Sequence, residues 1–148
     1  MLRDLPGAVL FCCTENSVRS PMAEGLMKQL LGHAVYVDSC GVRAREVDGF
    51  SVTVMDELGI DVSRHKSKSF DDLEDSSFDV IITLSPEAQH KAIELTRTMA
   101  CDVEYWPTMD PSLTEGSRER RLESWRQVRD QLRARILKRF SPGPPPTV

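Results

Sequence analysis

The fold of this chain is decided by one stretch, Ala8-Val9-Leu10-Phe11-Cys12-Cys13-Thr14-Glu15-Asn16-Ser17-Val18-Arg19-Ser20-Pro21. It opens with a continuous apolar run over residues 8–13, which is typical of a buried strand. A helical pattern follows, with apolar side chains at steps of three and four from Ala23 to Leu31 and Gly32 as a stop signal. Ser20 and Pro21 predict the start of that helix, as its N-cap and first helical residue. We therefore expect a strand, a tight loop and a helix.

The loop between this strand and helix carries a cysteine and an arginine separated by five residues. Such a loop can turn its backbone N–H groups around a tetrahedral oxyanion, and the positive end of the following helix favours the same anion. Arg19 would add a planar fork that matches two oxygens, and Cys13 would lie beneath the anion as a thiolate. The predicted oxyanion site consists of Thr14, Glu15, Asn16, Ser17, Val18, Arg19 and Ser20.

Two residues of the loop favour a nucleophile over a structural cysteine. Asn16 tolerates the left-handed backbone angles that an inward-curling loop requires. Ser20 can hold a hydroxyl donor close to the sulfur. The spacing alone also fits a buried cysteine at a strand end and a surface arginine, so the catalytic interpretation depends on these additional features.

Strand and helix patterns alternate through the rest of the chain. Strands are predicted at 35–38, 79–84 and 103–106. Helices are predicted at 51–58 with Ser51 as cap, from Pro86 to about Thr98 with Ser85 as cap, and from about Ser117 onward. This alternation predicts an α/β fold with a central four-stranded parallel sheet, in the order 2-1-3-4, and helices on both faces. Ligands bind at the carboxyl ends of the strands beside strand 1 in such a sheet.

A second candidate catalytic group, Asp110, follows the fourth strand and therefore belongs to the same edge of the sheet as Cys13. A thiolate that attacks a phosphate ester needs the leaving oxygen protonated, which a carboxylic acid opposite the nucleophile can do. Pro111 would stiffen the loop that carries it. Aspartate before proline is also common in plain turns, so position alone leaves both interpretations open.

Composition bounds the class of protein. The chain has 148 residues, 40% of them apolar and 28% charged, which suits one globular domain. We assign residues 1–140 to that domain and predict a disordered Pro-rich tail at 141–148. Neither a membrane-spanning run nor a signal peptide is evident, so we expect a cytoplasmic protein that binds no membrane. The four cysteines lack zinc-type spacing, and we expect no metal and no cofactor.

The basic stretch at residues 117–140 holds nine Lys and Arg against three Asp and Glu. We interpret it as a solvated helix face and expect no nucleic-acid partner; an anionic protein partner is the alternative. The three histidines, His33, His65 and His90, show no metal spacing and are predicted to lie on the surface or in loops.

The chain resembles the low-molecular-weight protein tyrosine phosphatases and the related thioredoxin-coupled arsenate reductases. The matching pieces, in the family's order, are Cys13-Thr14 through Ser20-Pro21-Met22-Ala23-Glu24, Asp38-Ser39-Cys40-Gly41, Gly59-Ile60-Asp61, Asp79 to Leu84 and Asp110-Pro111. The resemblance implies a phosphatase-like domain with a flavodoxin-like three-layer fold and no metal. It implies that Cys13 forms a cysteinyl-phosphate, that Arg19 clamps the oxyanion and that Asp110 acts as acid and then base. Supporting roles fall to Asn16, Ser20, Ser39 and Pro111.

The chain also departs from the phosphatase pattern. Glu15 replaces a glycine, Val18 replaces a second cysteine, and Ser112 and Leu113 stand where aromatic residues line the phosphotyrosine slot. The reductases relay oxidation through two further cysteines after the third strand, but Thr83-Leu84-Ser85 and the following helix contain none. A carboxylate near a dianion is repulsive, so Glu15 should point outward or weaken binding.

The Cys13–Arg19 loop, Asp110 and the family resemblance together predict a metal-independent phosphomonoesterase that acts on phosphotyrosine in proteins through a cysteinyl-phosphate. The expected ligands are a phosphorylated protein or a small aryl phosphate, with phosphate or sulfate in the loop. An arsenate reductase that depends on an external thiol, such as glutathione, is the alternative. A module that binds phosphate without turnover is a third possibility.

Overall fold

Strands and helices alternate along the chain in a computed structural model that describes residues 5–74 and 77–140. The strands are β1 (Ala8–Cys13), β2 (Tyr36–Gly41), β3 (Val80–Thr83) and β4 (Asp102–Tyr105). The helices are α1 (Arg19–Leu31), α2 (Gly49–Asp56), α3 (Pro86–Leu95) and α4 (Arg118–Phe140). Single 3-10 turns form at Phe70–Asp72, Thr96–Thr98 and Pro111–Leu113.

The four strands form one parallel sheet in the order β2-β1-β3-β4, which confirms the predicted α/β architecture. β1 lies in the interior of the sheet, between β2 and β3. Cys12 pairs in register with Cys40 on one side and Thr83 on the other, while Cys13 pairs with Gly41. The loop after Cys13 therefore leaves the sheet where the ends of three strands meet.

Helices cover both faces of the sheet. On one face α1, α2 and α4 pack over a core that includes Phe11, Met55 and Trp125. On the other face α3 and the turn at Phe70–Asp72 cover Leu10 and its neighbours. Side chains of successive strand residues point to opposite faces, so Cys13 belongs to the first core and Cys12 to the second.

Two predicted helix starts are wrong. α1 begins at Arg19 with Val18 as a cap that makes no side-chain bond, so Ser20 lies inside the first turn instead of capping it. α2 begins at Gly49, where the carboxylate of Asp48 accepts from the N–H of Ser51 at 3.1 Å. In both cases the predicted cap hydroxyl has a tertiary partner: Ser20 contacts Cys13, and Ser51 accepts from the indole of Trp125 at 3.2 Å.

The Ser85 cap of α3 is confirmed, since its side chain accepts from the N–H of Ala88 at 3.3 Å. β2 continues to Gly41, three residues past the predicted end, and β4 begins one residue earlier than predicted. The predicted tail at 141–148 lies outside the described residues. None of the helices in the described ranges has the length and apolarity needed to cross a bilayer.

Candidate active site

The loop after β1 is fixed by bonds on its outer side. Its backbone carbonyls accept from N–H groups of the segment 42–48, at 2.9 to 3.1 Å: Cys13 from Val42, Thr14 from Arg43, Glu15 from Arg45 and Ser17 from Asp48. The planar trans peptide sets each N–H opposite its carbonyl. Within the described ranges, the N–H groups of residues 14–18 donate to no backbone carbonyl of the protein. They are left to bind an anion on the inner side.

Gly41 allows the segment after β2 to lie against this loop. A Cβ at Gly41 would be 2.6 Å from both the backbone nitrogen of Asn16 and the carbonyl oxygen of Arg43. Real Cβ atoms do not approach backbone atoms so closely, so only glycine permits this packing. The absence of a side chain at position 41 therefore determines how closely the loop packs against the segment after β2.

Asn16 has a φ of 52°, the left-handed conformation expected for it, and among the described residues other than glycine it alone has a positive φ. Its side chain is fully buried. Oδ1 accepts from the N–H of Lys68 and from Nε2 of His65, each at 3.0 Å. Nδ2 donates to the hydroxyls of Ser20 at 2.8 Å and Ser39 at 2.9 Å. Asn16 thus holds both the loop curvature and the groups behind the cysteine.

The sulfur of Cys13 lies at the floor of the loop, 2.9 Å from the hydroxyl oxygen of Ser20 and 3.4 Å from its backbone nitrogen. Asn16 donates to the same hydroxyl, which leaves the Ser20 proton for an acceptor. The sulfur at 2.9 Å is closer than the carbonyl of Cys40 at 3.4 Å. The hydroxyl and the backbone N–H of Ser20 therefore both lie within hydrogen-bond reach of the Cys13 sulfur.

Behind Asn16 lie Glu24 and His65, which were not predicted as site residues from the sequence. Ser39 donates to Glu24 Oε1, and Nδ1 of His65 lies 3.8 Å from the same oxygen. His65 lies in a loop, as predicted, but its side chain is only 9% exposed and does not lie on the surface. Burial lowers the pKa of His65, and the nearby charge of Glu24 opposes this only in part. No local spacing marks these residues, because strand register and loop packing bring them together.

Arg19 is 9% exposed and reaches across to the loop after β4, where Nη1 donates to the carbonyl of Thr108 at 2.9 Å. This bond uses one of the five N–H donors of the guanidinium. The others can bind two oxygens of an oxyanion. Arg19 therefore also joins the cysteine loop to the segment that carries Asp110.

Asp110 lies in the same cleft as Cys13 and Arg19, although it is nearly a hundred residues distant in the chain. The cleft has a volume of about 310 Å³ and is lined by Cys13, Thr14, Glu15, Ser17, Val18, Arg19, Ser85, Pro86, Glu87, Asp110 and Ser112. No aromatic side chain belongs to this lining. The hydroxyl of Thr14 donates to that of Ser85 at 3.0 Å and joins the loop to the start of α3.

Glu15 lines the cleft and also faces Arg45, whose Nη1 is 3.4 Å from its Oε2. The two side chains are 40% and 71% exposed, so the ion pair contributes little to stability. Glu87, another residue of the lining, pairs similarly with Arg43 at 3.3 Å. The arginines partly neutralise the two carboxylates. Arg45 belongs to the segment on the outer side of the loop, so its contact with Glu15 fits the prediction that this carboxylate points outward.

The other three cysteines do not line the cleft. Cys12 and Cys40 are buried on the opposite face of the sheet, with their sulfurs 3.6 Å apart, and burial raises the pKa of the Cys12 thiol well above its ordinary value. Cys101 is half-buried beside the second core. Cys13 is therefore the single thiol of the cleft within the described ranges.

The family model described as low molecular weight phosphotyrosine protein phosphatase matches residues 8–140. The chain belongs to this family. An arsenate reductase of Bacillus subtilis (strain 168) is 35% identical over 133 residues, which are 90% of this chain and 94% of that protein. A solved arsenate reductase in the phosphate binding state is 30% identical, covers 90% of this chain and 96% of its own, and superposes with a TM-score of 0.70.

A solved low-molecular-weight protein tyrosine phosphatase from T. tengcongensis is 28% identical, covers 88% of this chain and 95% of its own, and has a TM-score of 0.72. The chain thus resembles both the hydrolytic and the reductive members of the phosphatase family at similar levels. Overall similarity does not decide between the two reactions, which depend on the residues of the cleft.

Proposed function

We propose that this protein is a metal-independent phosphomonoesterase that acts through a cysteinyl-phosphate, with phosphotyrosine in proteins as its substrate. One observation carries the proposal: Cys13, Arg19 and Asp110 line a single cleft. Membership of the phosphatase family supports it. A cytoplasmic location belongs to the proposal as well, since all four cysteines are free thiols.

In the first step the Cys13 thiolate attacks phosphorus in line with the ester bond. The inner N–H groups of the loop and the free donors of Arg19 hold the three equatorial oxygens as charge develops on them. The P–O bond breaks, and Asp110 transfers its proton to the departing oxygen. The products of this step are the alcohol and phosphate bound covalently to Cys13.

In the second step Asp110, now ionised, accepts a proton from water. The resulting oxygen nucleophile attacks phosphorus, the S–P bond breaks, and inorganic phosphate leaves with Cys13 restored as a thiolate. The two Ser20 donors that lie near the sulfur stabilise the leaving thiolate. The same side chains therefore serve both halves of the cycle.

Rapid-quench kinetics with an aryl phosphate test this function. We expect a burst of phenol equal to the enzyme concentration and a phosphate label on Cys13. Cys13→Ser should abolish turnover, and Asp110→Asn should slow release of poor leaving groups by about 10²–10⁴-fold. Hydrolysis by Cys13→Ser near the wild-type rate would rule the mechanism out. Tight phosphate binding without any burst would indicate a binding module instead.

Arsenate reduction with an external thiol is the second candidate, and the named relatives favour it. The Cys13 thiolate would form an S–As bond to arsenate as one As–O bond breaks and that oxygen leaves as water. A thiol from solution would then attack the Cys13 sulfur and break the S–As bond, so that arsenic leaves as arsenite, reduced from As(V) to As(III), and the two sulfurs form a mixed disulfide. Because Cys13 is the one thiol of the cleft among the described residues, the second thiol must come from outside. Arsenate-dependent consumption of glutathione without aryl phosphate hydrolysis would establish this reaction in place of the first.

A further inference from the structure

Asp110 is held by the residue two positions after it. Its Oδ1 accepts from the backbone N–H of Ser112 at 3.0 Å and from the Ser112 hydroxyl at 2.7 Å. Among the contacts of the described residues, Oδ2 of Asp110 has no hydrogen-bond partner. Both residues line the cleft of Cys13. The two oxygens of one carboxyl group are therefore in different environments.

An oxygen that already accepts two hydrogen bonds is a poor site for a proton, because its lone pairs are occupied. The proton of a neutral Asp110 is accordingly favoured on Oδ2. A bond from Ser112 to Oδ1 is compatible with both the acid and the carboxylate, so the group need not reorient between the two half-reactions. Fixed orientation matters here, because a displacement of about 1 Å at a reacting group can slow catalysis by about 10²-fold.

We propose that Ser112 is a positioning residue for Asp110: its hydroxyl fixes Oδ1 so that Oδ2 carries the transferred proton. The inference rests on the proposed phosphomonoesterase function. Any residue except proline at position 112 would keep the bond from the backbone N–H, but only a serine or threonine adds the hydroxyl bond. The position that holds an aromatic residue in the resembling phosphatases serves here to orient the acid.

The same pair of bonds occurs away from the cleft and supplies a matched control. Asp61 Oδ1 accepts from the N–H of Ser63 at 2.9 Å and from its hydroxyl at 2.6 Å. Ser63 lies outside the lining of the Cys13 cleft, and Asp61 takes no part in the proposed chemistry. Ser63→Ala removes the same local bond as Ser112→Ala but should leave catalysis intact.

The test compares kcat/KM for two aryl phosphates, because this ratio reports the step in which the leaving oxygen takes its proton. With phosphotyrosine, a poor leaving group, Ser112→Ala should lower kcat/KM by about tenfold, as expected for loss of one hydrogen bond to a charged group. With p-nitrophenyl phosphate, whose phenol leaves readily without a proton, the loss should stay within about threefold. Ser112→Thr should restore the phosphotyrosine rate.

Thermal unfolding of both alanine variants measures any purely structural effect. Equal losses on the two substrates in Ser112→Ala, or failure of Ser112→Thr to restore activity, would overturn the positioning role. The positioning role would also be overturned if Ser112→Ala and Ser63→Ala gave the same kinetics. The proposed function would survive that outcome if Asp110→Asn alone showed a steep dependence on the leaving group. Absence of hydrolysis in the wild-type protein would instead remove the function and the inference together.

Discussion

Asn16 meets two requirements with one side chain. Its backbone takes the left-handed angle that curls the loop inward, and its amide orders the hydroxyls of Ser20 and Ser39 behind the sulfur. Both roles need a short side chain with one acceptor and one donor group, which asparagine supplies. The surroundings of the Cys13 sulfur therefore depend on the side chains of Asn16 and Ser20 as well as on the backbone of the loop.

Replacing Ser20 tests this dependence. Ser20→Ala removes the hydroxyl donor 2.9 Å from the sulfur and leaves the backbone donor in place. We expect alkylation of Cys13 by iodoacetamide at neutral pH to slow by about tenfold, because a hydrogen bond to a charged group contributes about 1.5–3 kcal/mol. The half-buried Cys101, labelled in the same sample, is the internal control. An unchanged rate at Cys13 would show that the hydroxyl does not stabilise the thiolate.

His65 makes the fold sensitive to acid. Burial lowers the pKa of His65 below the ordinary 6.5. Above pH 6.5 the imidazole is neutral in both the folded and the unfolded chain, and the full stability is present. As the pH falls from 6.5 through the lowered pKa, the unfolded chain takes up the proton more readily, so stability is lost. Wild-type protein should therefore lose more unfolding free energy between pH 7.5 and 5 than His65→Gln does. Urea denaturation at both pH values measures the difference. His90→Gln, at a side chain that is 82% exposed, should behave as wild type; equal losses in all three would contradict the prediction.

At the scale of elements, the loop is shaped from outside by the segment that follows β2. Gly41→Ala would place a Cβ 2.6 Å from backbone atoms of Asn16 and Arg43. We expect a loss of about 1–3 kcal/mol in unfolding free energy, the usual effect of overpacking, together with weaker phosphate binding measured by calorimetry. Gly49→Ala is the matched control, since its Cβ would meet nothing within 4 Å. Phosphate affinity retained in Gly41→Ala would mean that this contact does not set the loop.

The positions of the strands could be predicted from local sequence patterns, whereas two of the helix caps could not. The apolar runs at 8–13 and 79–84 needed only burial on both faces, and β1 and β3 form there. By sequence, both Ser20 and Ser51 fit the pattern of a helix N-cap. In the structure, the hydroxyl of each instead bonds to a residue of another element. The sequence shows the local cap pattern but not the partner that the fold brings to each hydroxyl, so sequence alone could not choose between the two roles.

At the scale of the whole molecule, topology explains which parts of the site could be predicted. Cys13 and Arg19 share one local motif, and Asp110 follows from the rule that parallel strands end at a common edge. His65 and Ser112 reach the site through loop conformations for which no periodic pattern exists. Their contributions depend on distances that appear only once the chain is folded.

The number of thiols in the cleft should decide between hydrolysis and self-contained reduction. Ser85 lines the cleft with Cys13, at the end of the strand after which the resembling reductases carry their further cysteines. Ser85→Cys would supply a second thiol that can attack the sulfur of a Cys13–arsenate adduct, releasing arsenite and forming an intramolecular disulfide. We expect arsenate to remove two titratable thiols per molecule in this variant and none in wild type without added thiol.

Ser63→Cys is the control for the extra thiol, because it lies outside the cleft. Thiol titration after arsenate, with mass spectrometry to locate the disulfide, measures the outcome. A disulfide in wild type without added thiol would show that another cysteine reaches Cys13 after a rearrangement of the sheet. Failure of Ser85→Cys to form a disulfide, while aryl phosphate hydrolysis persists, would mean that its side chain cannot reach Cys13. The cleft geometry, and not only the thiol count, would then separate the two reactions in this family.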